Sequence, residues 1–267
     1  MLSGRRRRTC ILDSGERELN VIVCVKRVPD TEARIRVDAT GSAIDGSGIK
    51  FDISPYDAFA VEAALRMKEA AGAGEVTLLT LGDAASQETL RKGLAMGADR
   101  AVLLTGSVGL DGLATAKALA AELGASDAPL FLFGVKAADD DQQQVGPMVA
   151  TLLDRPCVTG VSTFEVADGR VLCQREVEGG SESVEVGLPA VLCITKGPNE
   201  PRLAALKGIM AAKKKPLEEK AAQVVETRVR LRTLAEPPAR PEGRIVGEGA
   251  DAVPELVRLL REEANAL

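Results

Sequence analysis

Histidine is absent from the 267 residues. Its absence removes the commonest general acid–base near neutral pH and the commonest transition-metal ligand. Neither a Ser–His–Asp triad nor a Cys–His zinc site can be assembled from this chain alone. Aromatic residues make up 2% of the sequence and tryptophan is missing. A core must therefore come from aliphatic packing, and the 45% hydrophobic content, largely Ala, Val and Leu, is enough for one. No apolar run approaches the roughly 20 residues that span a bilayer. The expectation is a soluble, cytoplasmic chain without direct membrane insertion, or a matrix protein if it comes from a mitochondrion. The five cysteines (Cys10, Cys24, Cys157, Cys173 and Cys193) show no C-x-x-C spacing, so buried, reduced thiols are expected and no metal site. The net charge of -5 gives no global reason to expect nucleic acid as a partner. A G-x-G-x-x-G after the first strand and a P-loop are both lacking, which weakens the usual dinucleotide and Walker readings.

What is present is alternation. Residues 1–18 carry Arg5–Arg8 but no apolar core of signal-peptide length. They read as a disordered basic extension or the product of an upstream start codon, with a targeting segment as the alternative. From residue 19 onward, apolar strand-like runs alternate with helical spacing. Asn20–Val25, Glu75–Leu81, Arg100–Leu104 and Pro129–Phe133 read as strands. Helices are expected from Pro55 to before Gly72, from Ala84 to Met96 with Asp83 as cap, over Leu110–Leu123, and from near Gly146 to Leu153. This pattern predicts an α/β fold: a mostly parallel sheet with helices on both faces. After Pro156 the strand-like runs Val158–Val166, Arg170–Val177, Glu182–Val186 and Ala190–Thr195 follow one another, with turns at Asp168-Gly169 and Gly179-Gly180. They predict an antiparallel addition to the sheet. A short helix is expected over Leu203–Ala212. The domain is expected to run from 19 to 215, and residues 216–267 to form a C-terminal arm that ends in an amphipathic helix, Ala252–Glu263, and docks on another subunit.

Ligands of open α/β sheets bind outside the carboxyl ends of the strands, and phosphates favour helix N-termini. That rule selects three loops: Lys26–Thr31, Ser54–Asp57 and Gly134–Gly146. The third has a strand ending in glycine, then a polar run into a helix. Its backbone can cradle a phosphate, while Asp139, Asp140 and Asp141 would repel one unless they point away, cap the helix or recruit a cation. A solvated helix-cap loop is the alternative. Lys213-Lys214-Lys215 reads either as a solvated face or as a docking surface for an acidic partner.

Several runs carry a resemblance. VIVCVKRVPDTEARIRVD, SPYDAFAVEAALRMKE, ETLRKGLAMGADRAVLL, ADDDQQQVG, REVEGGSESVEVGLPAVLCIT and NEPRLAALKGIMAAKKKP, in that order, resemble the electron-transfer flavoprotein β-subunit family. The resemblance implies an adenine nucleotide alpha hydrolase-like fold and a heterodimer with an α subunit that carries most of an FAD site. It implies structural AMP in this chain, with electrons arriving from acyl-CoA or other flavin dehydrogenases in fatty acid β-oxidation and leaving to a quinone oxidoreductase. Such a chain is an electron carrier subunit rather than a self-contained enzyme, and no catalytic residue is required of it. On the family's pattern the AMP site falls at Cys24, at Ser54, Pro55, Tyr56 and Asp57, and at Leu81. It continues along Gly134, Val135, Lys136, Ala137, Ala138, Asp139, Asp140, Asp141, Gln142, Gln143, Gln144 and Val145. Tyr56 also falls near the family's flavin. The recognition loop maps to 199–212, with Leu206 as its anchor and Arg202, Lys213 and Lys214 as basic neighbours. Three positions and one run depart from the pattern. Ser54 stands where Asn is common, Lys207 where Pro is common and Val145 where Thr is frequent. The Gln144–Pro147 run resembles the branch that bifurcates electrons, holding a second FAD in place of AMP and oxidising NADH. A stand-alone adenine-nucleotide sensor is a further alternative.

Overall fold

The computed structural model describes residues 20–106, 109–223, 226–239 and 242–267; the basic extension expected at 1–18, and Cys10 within it, lie outside them. The larger of two compact units ends at Leu231, and the smaller joins Arg36–Asp45 to Arg232–Leu267.

In the larger unit, β1 (Val21–Cys24) leads to a small antiparallel ladder of β2 (Arg27–Pro29) with β3 (Phe51–Ile53). There follow α1 (Pro55–Ala71), β4 (Val76–Gly82), α2 (Ser86–Met96), β5 (Arg100–Thr105) and α3 (Gly112–Leu123). Next come β6 (Leu130–Gly134), α4 (Val145–Leu152), β7 (Cys157–Ala167), β8 (Arg170–Val177), β9 (Gly180–Gly187) and β10 (Ala190–Ile194). The unit closes with α5 (Leu206–Ala212) and β11 (Leu217–Ala221). The nine-stranded sheet has the order β11-β5-β4-β1-β6-β10-β7-β8-β9. Every pairing from β11 to β7 is parallel, and β8 and β9 extend the sheet antiparallel.

Alternation along each strand divides the core. Val21, Val23, Leu78, Leu130 and Leu132 pack with Ala60, Val61 and Leu65 of α1 and Leu90 and Leu94 of α2. Cys24, Leu79, Phe131 and Phe133 pack with Leu119 and Leu123 of α3 and Val149 and Ala150 of α4. Helices therefore cover both faces, as buried parallel strands require, and the carboxyl ends of the central strands form an open rim. The hairpin at Asp168-Gly169 has φ of 50° and 73°, the left-handed pair that a two-residue turn between twisted strands needs.

Two expectations are corrected. Asp83 does not cap α2 with its side chain, because the cap position is Ala85 and Asp83 accepts from Ser86 N through its backbone carbonyl. Asp111 caps α3, its Oδ1 accepting from Ala114 N at 2.8 Å. The stretch placed in an arm from residue 216 begins inside the sheet, where Leu217 pairs with Ala101 and Ala221 with Thr105. An edge strand has one neighbour and is protected from further pairing by charge, so Glu218, Glu219 and Lys220 hid it. Past that strand, Arg228 N and Val229 N donate to Asp111 Oδ2 at 2.6 and 2.8 Å.

In the smaller unit, Val37 and Ile44 form a bridge and Leu234 N donates to Gly41 O. Its helix α6 (Val253–Glu262) is stitched by Arg258 to Glu255 and Glu262.

Lys215 fixes the end of α2: its Nζ donates to Leu94 O at 3.0 Å and to Ala98 O at 2.6 Å. Lys215→Met keeps the stem and removes the cation from a helix C-terminus. It should lower unfolding free energy by about 1–2 kcal/mol in denaturant titration, whereas Lys213→Met, an exposed neighbour, should leave it unchanged.

Candidate functional site

A cavity of about 320 Å³ opens at the carboxyl rim. Its walls are the ends of β1, β4 and β6, the first turn of α3, and the loop that enters α4. The strand ends place side chains there because parallel strands all point their carboxyl ends to the same rim, at Cys24, Gly82 and Gly134, with β4 running on past the Leu79 that pairs with Cys24.

Asp57, in the first turn of α1, joins two of these walls. Its Oδ2 accepts from Lys26 N at 2.8 Å and its Oδ1 from Gly134 N at 2.9 Å. Glycine is required at 134, because a Cβ there would stand against Asp57 Oδ1 and within 2.8 Å of the Tyr56 carbonyl carbon. Asp57 is 7% exposed. Burial pushes its carboxyl up from the ordinary 3.8 to about 7, against the opposing pull of the Lys26 and Gly134 N–H groups and the Lys26 charge. The same burial, with the Asp57 charge nearby, holds the Cys24 thiol well above its usual range.

The acidic loop is partly neutralised from within the chain. Lys26 Nζ sits 2.8 Å from both Asp139 and Asp140, and Lys136 Nζ 2.7 Å from Asp141. Lys136 also lies 5.7 Å from the centroid of the Tyr56 ring. Asp141 and Gln143 take φ of 51° and 55°, a left-handed path that costs energy in non-glycine residues. The loop then enters α4 at Gln144, whose side chain makes no cap to the helix. The first-turn N–H groups of α4 are thus left for another acceptor. Gly146 is held against Cys193 and Phe133, where a Cβ would lie 2.5 Å from Cys193 Sγ.

The cavity wall includes Cys24, Asp57, Leu81, Gly134, Val135, Lys136, Ala137, Asp140, Gln142, Gln143, Gln144 and Val145. Ser54, Pro55, Tyr56, Ala138, Asp139 and Asp141 are not among its lining residues. Ser54 is fully buried, and its hydroxyl has no hydrogen-bond partner among the described residues. Sequence reasoning missed Gly82, Asp83 and Ser86 after β4, and Gly112 and Thr115 of α3, all in the wall. Gly82, Asp83 and Ser86 carried a signal in their position at or just past the end of a parallel strand, while Gly112 and Thr115, within α3, carried none. Gly112 permits a close approach, since a Cβ there would strike the Gln144 side chain.

The residues expected to meet a partner separate into two kinds. Leu206 is 77% exposed and opens α5. Lys213 and Lys214 are exposed. Arg202 is instead engaged internally, with Nε 2.7 Å from Glu62 Oε2 and Nη1 2.5 Å from Glu69 Oε1.

The fold and rim define a mostly parallel α/β protein with a cavity of about 320 Å³ at its strand ends. Residues 43–225 match the electron transfer flavoprotein domain family. An electron transfer flavoprotein subunit beta of Bradyrhizobium diazoefficiens is 40% identical over 251 residues, covering 93% of this chain and all of the relative. One from Syntrophomonas wolfei is 40% identical over 84% of this chain and 88% of its own, and one from Bacillus subtilis 36% identical over 93% and 100%. The chain belongs to the electron-transfer flavoprotein β-subunit family. Among the described residues no helix is long and apolar enough to cross a membrane.

The raised Asp57 value has a signed consequence. Between 3.8 and about 7 the folded chain holds a proton that the unfolded chain has released. The site's contribution is full below the unfolded value and is lost as pH rises through about 7. Across roughly pH 5 to pH 8, wild type should lose stability relative to Asp57→Asn as pH rises; urea titrations showing a constant difference would contradict the assignment.

Proposed function

We propose that this chain is the β subunit of a heterodimeric electron-transfer flavoprotein, that its rim cavity holds AMP, and that it pairs with an α subunit bearing FAD. The reading rests above all on the cavity. Its volume of about 320 Å³ lies at the low end of the roughly 300–1,000 Å³ of ligand pockets, which favours a mononucleotide over a second FAD. The residues fit a phosphate in two respects. The N-terminus of α4 lacks a side-chain cap. Lys26 and Lys136 partly offset the three aspartates that would repel an anion. Gln142, Gln143 and Gln144 supply amide groups for ribose or base edges. FAD, when bound, carries the electrons, and this chain supplies shape and electrostatics around the shared site.

The exposed apolar residues Leu203, Leu206 and Met210, 94%, 77% and 61% exposed, with Lys207, Lys213 and Lys214 close by in the chain, suit brief docking on an acidic-rimmed dehydrogenase. Acyl-CoA dehydrogenases are the proposed donors and a quinone oxidoreductase the proposed acceptor.

Coexpression with the α subunit should yield a yellow heterodimer. Acid extraction and chromatography should give one AMP and one FAD per heterodimer, and two FAD without AMP would replace this reading with the bifurcating one. Leu206→Ala should slow electron acceptance from an acyl-CoA dehydrogenase about tenfold, as truncation of a docking anchor does, with flavin content unchanged. Parallel loss of flavin would make Leu206 a structural residue.

A further inference from the structure

The docking segment is poorly supported by packing. Leu203 and Leu206 are largely exposed to solvent, and Pro201–Ala204 form part of the wall of a second cavity of about 420 Å³, together with Val28, Ile53 and Met96 and with the charged Asp30, Asp52 and Lys92. Apolar side chains left in water gain no packing energy where they stand, so something other than packing must hold the segment in place.

Charged groups hold both ends of the segment. Upstream, Arg202 grips two carboxylates on α1. Its Nε and backbone N lie 2.7 and 3.2 Å from Glu62 Oε2, its Nη2 3.1 Å from Glu62 Oε1, and its Nη1 and Nη2 2.5 and 3.1 Å from Glu69. The Glu62 side chain is 1% exposed, so this end is tied to a buried point. Downstream, Arg91 Nη1 donates to Ala212 O and Lys215 O, both at 2.7 Å. Between the anchors Gly208 rests so close to Ala95 O of α2 that a Cβ would collide with it.

We infer that Arg202 is a positioning residue for the docking segment rather than a contact with the partner: its fork on Glu62 and Glu69 fixes the base of Leu203–Met210 on α1. The role of the segment in docking rests on the function proposed above, whereas the clamp itself does not. A planar guanidinium can satisfy two carboxylates at once in fixed geometry, and a lysine cannot. Arg66 also bonds Glu62, at 2.7 Å, so removing Arg202 does not strand a buried charge and the fold should survive.

The test is hydrogen–deuterium exchange on the heterodimer carrying Arg202→Ala, with Glu69→Gln as a milder variant on the exposed side of the clamp. Amides of 203–212 should exchange about tenfold faster or more, the shift expected for losing a charge-assisted hydrogen bond, while those of α3 keep their rates. Arg202→Lys should restore protection only in part. KM for an acyl-CoA dehydrogenase should rise while kcat at saturation and bound FAD stay constant. Unchanged exchange at 203–212 in both variants would overturn the clamp. Faster exchange with an unmoved KM would uphold the clamp and overturn the docking role of the segment.

Discussion

Two backbone N–H groups, one at the end of β1 and one at the end of β6, share a single buried carboxylate. The cavity depends on that arrangement. Neighbouring parallel strands finish at the same level but diverge as their loops leave, and nothing in the ladder beyond Cys24 and Gly134 keeps them in register. Asp57 does so from a third element, α1, by giving one oxygen to each strand end. The ionised carboxylate serves both donors, while burial favours the neutral acid. The balance leaves the group titrating at about 7.

The same rim shows how an acidic loop can line a cavity suited to an anion. Lys26 contributes twice: its backbone N–H goes to Asp57 and its ammonium spans Asp139 and Asp140. Burial works against the ammonium and the two aspartates more than offset it, so its pKa ends above the ordinary value. Each of these pairs is partly solvated, so their worth lies less in stability than in local charge. With Asp141 on Lys136, two lysines offset three carboxylates, and a phosphate would meet a loop of much reduced negative charge.

Much of this was legible in the sequence because burial writes itself in simple patterns. Continuous apolar runs such as Phe131–Phe133 mark strands covered on both sides, and the glycine ending β6 marked the loop with the most residues in the cavity wall. Three things were not legible. Leu217–Ala221 is an edge strand whose charges answer to solvent on one side and to Glu122 and Arg100 on the other, so no apolar period survives. Asp83 and Asp111 look alike as helix caps, yet only Asp111 stands at the cap position with its side chain on a first-turn N–H, that of Ala114. Ser54 and Tyr56 fall beside the cavity in sequence but outside its wall, since adjacent residues in a helix's first turn face different directions.

Asp57 and the two carboxylates that hold Arg202 lie on one helix. Asp57 occupies the first turn of α1, while Glu62 and Glu69 follow at one-to-two-turn intervals along its 17 residues. A helix of that length spans about 25 Å and behaves as a stiff rod. Its interior is fixed by Ala60, Val61, Ala64 and Leu65 against the sheet, so it moves as a unit or not at all. The geometry of the rim and the base of the exposed segment are therefore set by the same body, one through Asp57 and the other through Glu62. Small residues at 60 and 64 bring that body close to the strands, where even a methyl-sized change in packing would displace both ends together.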